Sequence, residues 1–264
     1  MPTRRRRMGT DPLTWVAEDG VSEISSDTPA PPSPVFEEVD VLRLRDRPLS
    51  QFIADYFICR RCGTVGRGAE HATGDIECPG CRQSLHEASY YFRRPVHAVV
   101  DLLQNTYQGS LSNDPNRQDK PHREVEVGFS VLVLFCELFK IVQEHFLRHV
   151  MAGLRIPPNV SGRLFADNRD PRHRAGKLFP TLTGESWSDA VDKISARSGI
   201  DYVETARFVK KCLDTRDAFA HASDLSIIGE DAASGCMLRI EQLLELHVAL
   251  HNRYVPAIRV GRRA

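Results

Sequence analysis

The chain has 264 residues, 41% hydrophobic and 27% charged, which suits an ordinary globular core in one or two domains. Lys plus Arg and Asp plus Glu number 35 each, so no net charge points to a polyanionic partner, and any basic surface must come from local clustering. The most apolar stretch, 127–136, is short and leads into Glu137, Lys140 and Glu144, and the basic N-terminus is followed by no apolar leader. The expectation is therefore a cytoplasmic chain with no membrane association and with reduced thiols.

Residues 1–40 are expected to form a disordered tail. The arginines at 4–7 make a charge block, and the acidic, Ser- and Pro-rich stretch after it holds too little apolar surface to offset its ordering entropy. The arginine block reads first as a solvated tail and second as an arm for RNA backbone or a partner. Residues 41–95 carry paired cysteines, glycines and short strand-like runs such as Tyr56-Phe57-Ile58, and are expected to form a small zinc ribbon.

Residues 96–257 predict a mainly α domain, a helical bundle. A short helix is expected over 96–104, with Val96, Val99, Val100 and Leu103 on one face, followed by a polar loop over 107–121. A long helix over 124–154 is apolar all round in its first half, as for a central core helix, and Pro157-Pro158 ends it. A basic loop over 155–177 then carries Arg155, Arg163, Arg169, Arg172, Arg174 and Lys177. Ser186 opens a further helix and Gly199 stops it. The next starts near Asp201 and turns Val203, Ala206, Val209, Leu213 and Phe219 inward. The last runs from about 229 to Tyr254, closed by Pro256, and residues 258–264 form a basic tail.

The cysteine spacing carries chemistry. Cys59-x2-Cys62 and Cys78-x2-Cys81 are separated by fifteen residues, within the range expected of a zinc site. Two residues between thiolates let a tight knuckle aim both sulfurs at one ion, and Gly63, Pro79 and Gly80 suit the turns. Four thiolates complete a tetrahedron, so the site is read as structural, with zinc as cofactor and a rubredoxin-like iron as the alternative. Around it stand Arg60, Arg61, Arg67, Arg82, Arg93 and Arg94, with Tyr90, Tyr91 and Phe92 following. Basic residues among aromatics fit single-stranded nucleic acid, while the same aromatics fit the ribbon's own core and its seam with the bundle.

The segment 213–223 contains Arg216-Asp217-Ala-Phe-Ala-His221. It resembles the signature of HEPN domains, an Arg usually followed by a polar residue and then, four to six residues on, a His. The stretch 178–191 looks like the helix entry before that motif, and 136–147 is similar to the family's long first helix. The resemblance spans roughly 96–257. It implies a metal-independent endoribonuclease acting on RNA as a homodimer through the helical domain, with two motifs facing one cleft. It leaves room for an inhibitor or partner protein, as in a toxin or defence system. Other members are non-catalytic scaffolds. In the implied chemistry the RNA 2′-OH attacks the adjacent phosphorus. His221 moves a proton, Arg216 holds phosphate oxygens, and Asp217 orients His221 or Arg216 or helps shape the motif turn. Five residues of ideal helix turn about 140° and rise about 7.5 Å, so either the helix ends between Arg216 and His221 or the cleft draws on two protomers. An Arg and a His near a helix end also serve simply to satisfy its last carbonyls.

Other groups have sharper and blander roles open to them. His145 with His149, and His247 with His251, stand four apart and could grip a metal between two helices; such pairs are more often plain neighbours on a helix surface. Glu137 and Glu144 read as salt-bridge partners before cleft carboxylates, and Cys136, Cys212 and Cys236 as small buried hydrophobes. There is no Walker loop, dinucleotide-binding glycine motif or G-x-S-x-G. The alternative to a nuclease is a non-catalytic protein that binds nucleic acid or a protein partner.

Overall fold

A computed structural model describes residues 49–68, 77–82, 89–111, 120–222 and 232–260. The expected N-terminal tail, the arginine block at 4–7 and most of the polar loop lie outside these residues. A short helix α1 (Leu49–Ala54) leads into a three-stranded antiparallel sheet of β1 (Tyr56–Ile58), β2 (Val65–Arg67) and β3 (Ser89–Tyr90), ordered β2-β1-β3. Phe57 pairs with Gly66 on one side and Tyr90 on the other. The rest is helical: α2 (Arg94–Leu111), α3 (Lys120–Gly153), α4 (Pro158–Asp167), α5 (Pro171–His173), a π turn over Arg174–Leu178, α6 (Phe179–Thr183), α7 (Trp187–Ser198), α8 (Tyr202–Ala222), α9 (Ala232–Leu238) and α10 (Ile240–Val260). No helix among the described residues is long and apolar enough to cross a membrane.

The 34-residue α3 is the central rod, and α2, α8, α9 and α10 pack around it. Its buried Leu132, Phe135, Leu138, Phe139, Val142, Phe146 and Val150 face several directions, which explains why its sequence is apolar beyond a single stripe. One polar residue sits among them: Gln143 is fully buried and donates to the Pro171 carbonyl at 3.1 Å. That bond ties α3 to the segment after α4.

The sheet does not stand apart from the bundle. Phe52, Ile53, Tyr56, Val65, Tyr91 and Phe92 belong to the same buried cluster as the helical residues, and the core runs unbroken past residue 96. Two polar side chains of α10 fasten the seam. Asn252 accepts the Val65 N–H at 2.7 Å and donates to the Val65 carbonyl at 2.8 Å, pairing with β2 as another strand would. His251, fully buried, donates through Nε2 to the Gly63 carbonyl at 2.8 Å.

Several expectations need correction. The loop over 155–177 is helical. Pro158 and Pro171 open α4 and α5 at positions where a missing N–H costs nothing, and the Asp170 side chain caps α5 by accepting the Arg172 N–H. Arg174 is a core residue, 4% exposed, paired with Glu144 at 3.1 Å and donating to the Asn168 and Lys140 carbonyls. The short helix extends to Arg94–Leu111, so the expected loop is helical over 107–111 and again from Lys120. The last helix is two, α9 and α10, broken at Arg239, and Pro256 lies inside α10 instead of ending it. Helix therefore reaches Val260, beyond the expected boundary at 257. The expected helix α7 matches: Ser186 accepts the Asp189 N–H at 3.1 Å, and Gly199 closes the helix at φ 73°.

Candidate functional site

The four cysteines meet between two knuckles of equal design. In the first, Gly63 donates its N–H to the Cys59 carbonyl at 2.8 Å and stands at φ 80°. In the second, Arg82 donates to the Cys78 carbonyl at 2.8 Å and stands at φ 55°. Arg82 thus occupies the left-handed position that glycine takes in the first knuckle. The knuckles touch closely: a Cβ on Gly80 would lie 2.3 Å from Thr64 Oγ1.

All four sulfurs lie within 4.8 Å of one another, with Cys59 to Cys81 at 3.8 Å and Cys62 to Cys78 at 3.5 Å. Four sulfurs at ~2.3 Å from a tetrahedral ion are ~3.8 Å apart, so the cage has the right size for a metal ion. Those separations also exclude disulfides, which need ~2.05 Å. Backbone N–H groups of Thr64 and Gly80 approach Cys62 and Cys78 at 3.5 and 3.4 Å, aimed to support thiolate charge. Burial opposes ionisation of both. Bonds from Thr64 bring Cys62 down to about 7, whereas burial holds Cys78 up at about 12, so a bound cation would have to stabilise the Cys78 thiolate. Among the described residues this is the one group of three or more such side chains whose donor atoms converge.

The histidine pairs do not form such a group. They are not surface neighbours either. His145, His149 and His251 surround the buried ring of Tyr91, with centroids 4.8, 5.8 and 4.9 Å from it. His247 sits between Phe139 and Trp187, and its Nδ1 donates to the Leu243 carbonyl at 2.8 Å. Burial depresses His145 and His247 to about 4, so both are neutral packing groups at neutral pH. Glu137 pairs with Lys140, and Glu144 with Arg148 and Arg174. Cys136, Cys212 and Cys236 are buried, and burial pushes Cys136 up to about 12.

Of the residues around the ribbon, Tyr91 and Phe92 are core. Arg67 pairs with the buried Asp55 at 3.6 Å and lies over the Phe52 ring. Tyr90 alone of the three aromatics is exposed, at 64%.

The Arg216–His221 motif lies near the end of α8, and the helix continues unbroken through both residues to Ala222. Asp217 is the hub. Its Oδ1 accepts from Arg216 Nε and Nη2 at 3.0 and 2.8 Å, and its Oδ2 accepts from Arg172 Nη1 at 2.7 Å. Arg172 also meets Asp214 at 3.1 Å and Asp170 at 3.5 Å. Burial disfavours the Asp217 anion, but the bonds from Arg216 and Arg172 outweigh it and hold its carboxyl below the usual range. The same carboxylate raises Arg216 against the opposing effect of burial. His221 is exposed one helical turn further on and has no hydrogen-bond partner among the described residues. Asp217 thus orients Arg216 and not His221. Within one chain the Arg and His point about 140° apart, so the option of a helix ending between them is closed.

The partnerships of Arg172, Asp214, His251 and Asn252 are not visible in the sequence. Arg172 and Asp217 are 45 residues apart, and Asn252 and Val65 are 187 apart, so no local spacing joins them. No family model matches the chain, and neither does any curated protein or any solved structure.

Proposed function

We propose that the chain is a HEPN-like endoribonuclease that works as a homodimer and carries a structural zinc ion on Cys59, Cys62, Cys78 and Cys81. Zinc suits four sulfurs with no open position, and the metal then takes no part in the chemistry. The observation that supports the nuclease reading is the built state of the motif. A carboxylate anchored from elsewhere in the fold holds the edge of Arg216, while His221 stands exposed on the same helix end. Arg216 then meets phosphate oxygens with its outward N–H groups, and His221 takes or gives the proton. The two side chains diverge on a single helix, so the cleft takes Arg216 from one protomer and His221 from the other.

The test is RNA cleavage by metal-loaded protein without added divalent ions. Wild type yields 2′,3′-cyclic phosphate ends on RNA and leaves DNA intact. Arg216→Ala and His221→Ala each lose at least about 100-fold, the scale of one acid–base or electrostatic group. Mixing the two inactive variants restores part of the activity, because one cleft of the mixed dimer is then intact. Absence of cleavage in wild type sinks the reading, and an active monomer sinks the shared cleft. The second reading is a non-catalytic binding protein. It is favoured by the Arg172–Asp217–Arg216 network, which also serves as a staple between α5 and α8. That reading predicts unchanged RNA ends and a loss of stability in Arg172→Ala.

A further inference from the structure

The ribbon sheet has two unlike faces. Tyr56 and Val65 turn into the core, as does Tyr91 just beyond β3, while Phe57 and its cross-strand partner Tyr90 turn outward. Their rings lie 5.3 Å apart and are inclined by only 31°, so Phe57 supports one side of the Tyr90 ring. The rest of that ring is open to solvent, at 64% exposure. Exposed tyrosine on a short strand is not needed for packing, since Tyr91 and Phe92 already fill the seam.

The surroundings are cationic. Tyr90 lines an open groove of about 660 Å³ together with Phe92, Arg93, Arg94, Pro95 and His97. No acidic side chain lines it among the described residues. Arg60 sits beside the preceding residue, with Nε donating to Ser89 Oγ at 3.2 Å. The first turn of the 18-residue α2 forms one wall and adds the positive end of its dipole. Asp55, the nearest carboxylate in sequence to the groove residue Ala54, is buried and turned to Arg67.

We propose that this groove is a binding platform for single-stranded nucleic acid, with a base stacked on Tyr90 and the backbone phosphates held by Arg93 and Arg94. A flat apolar ring meets bases of any sequence, and exposed guanidinium groups meet phosphates. A duplex hides its base faces, so the surface selects unpaired strands. The platform lies on the ribbon, apart from the Arg216–His221 motif on α8, and does not depend on cleavage.

The experiment measures fluorescence anisotropy of a labelled oligodeoxythymidine with full-length, metal-loaded protein over a series of salt concentrations. The probe has no 2′-hydroxyl, so the proposed cleavage chemistry cannot consume it, and the result is independent of whether RNA is cut. Wild type binds with an affinity that falls as salt rises. Tyr90→Ala weakens binding by about 5- to 150-fold, the range for one stacked base, and Tyr90→Phe keeps it. The double change Arg93→Ala with Arg94→Ala lowers the slope of log affinity against log salt by about 0.7 for each phosphate no longer neutralised. Unlabelled oligodeoxycytidine competes, and duplex DNA of equal length competes poorly. Metal content and melting confirm that each variant is folded. The proposal is overturned by no binding in wild type or by equal affinity in wild type and Tyr90→Ala. It is also overturned by equal competition from duplex DNA or anionic vesicles, which would mark a general attraction for polyanions.

Discussion

Replacing Asn252 by Ala should unfasten the sheet from the bundle. The side chain supplies both a donor and an acceptor to Val65, at 2.8 and 2.7 Å, and Val65 is only 2% exposed. Each bond contributes about 0.5–1.5 kcal/mol net, and a stranded buried N–H or carbonyl costs about 1–3 kcal/mol. Asn252 is half-buried, so water can reach part of the vacated space, and the expected loss is about 2–4 kcal/mol. For a chain of this size that lowers Tm by roughly 5–15 °C. Urea unfolding measures the loss, and hydrogen exchange at the Val65 amide locates it. Asn252→Asp is the control: it keeps an acceptor for the N–H but sets a carboxylate against the carbonyl, so it should be no more stable than the alanine variant at neutral pH. A loss below about 0.5 kcal/mol with unchanged exchange at Val65 would refute the strand-like role of Asn252.

Acid should weaken the fold before carboxylates titrate. His145 and His247 are held at about 4 by burial, below the ordinary ~6.5, so the unfolded chain binds protons that the folded chain refuses. Their stabilising effect is complete above about 6.5 and drains as pH falls towards 4, by up to about 3 kcal/mol per imidazole. Urea midpoints across that range check it, and His247→Leu should flatten the curve. Asp217, held below its ordinary value, adds stability above that value and loses it only as pH falls further, so Asp217→Asn should change the profile below about pH 4 and not between 5 and 7. Gly80→Ala should destabilise the metal-loaded ribbon by about 1–3 kcal/mol through its clash with Thr64 Oγ1, and adding Thr64→Ser, which keeps the hydroxyl, should not relieve it, read by competition with a chromophoric chelator.

What was legible in the sequence is what local chemistry determines. The cysteine spacing, the first strand, the Ser186 cap and the Gly199 stop all depend on residues within a few positions of one another. The basic run over 155–177 misled because its neutralising partners are remote: Glu144 for Arg174, and Asp214 and Asp217 for Arg172. A local signal was nonetheless present, since Asp170-Pro171 is a cap followed by a first-turn proline. The histidine pairs misled for the same reason. At 145, 149 and 251 they read as polar helix positions until Tyr91 comes between the helices and turns them into packing. Pro256 looked like a stop because it removes an N–H, yet α10 continues through it. Gly63 was visible as a turn residue, but its counterpart Arg82 carries no sequence sign of its left-handed backbone.

Loss of the metal should therefore not end at the ribbon. A four-cysteine module on a flexible linker would unfold alone on chelation and leave the melting of the helices unchanged. Here Gly63, directly after a ligand, accepts from His251, and Val65 pairs with Asn252 on the same helix. Tyr56, Tyr91 and Phe92 lie in the same core as α3 and α10. Structural zinc contributes an apparent ~10–16 kcal/mol to small Cys/His modules, as much as the whole stability of ~5–15 kcal/mol of an ordinary domain. Without an ion nothing bridges the four sulfurs, which lie within 4.8 Å of one another, and the knuckles then release both anchors. The expected result is one cooperative transition by far-UV circular dichroism that moves to lower temperature as metal is withdrawn. An unchanged helical transition after stoichiometric metal loss would show the ribbon to be an independent bead. The same coupling governs how activity assays are read. A nuclease whose metal never touches substrate would still lose activity to a chelator, through the seam at Tyr91, so inhibition by chelation identifies a metal catalyst only if the helical signal in the same sample is intact.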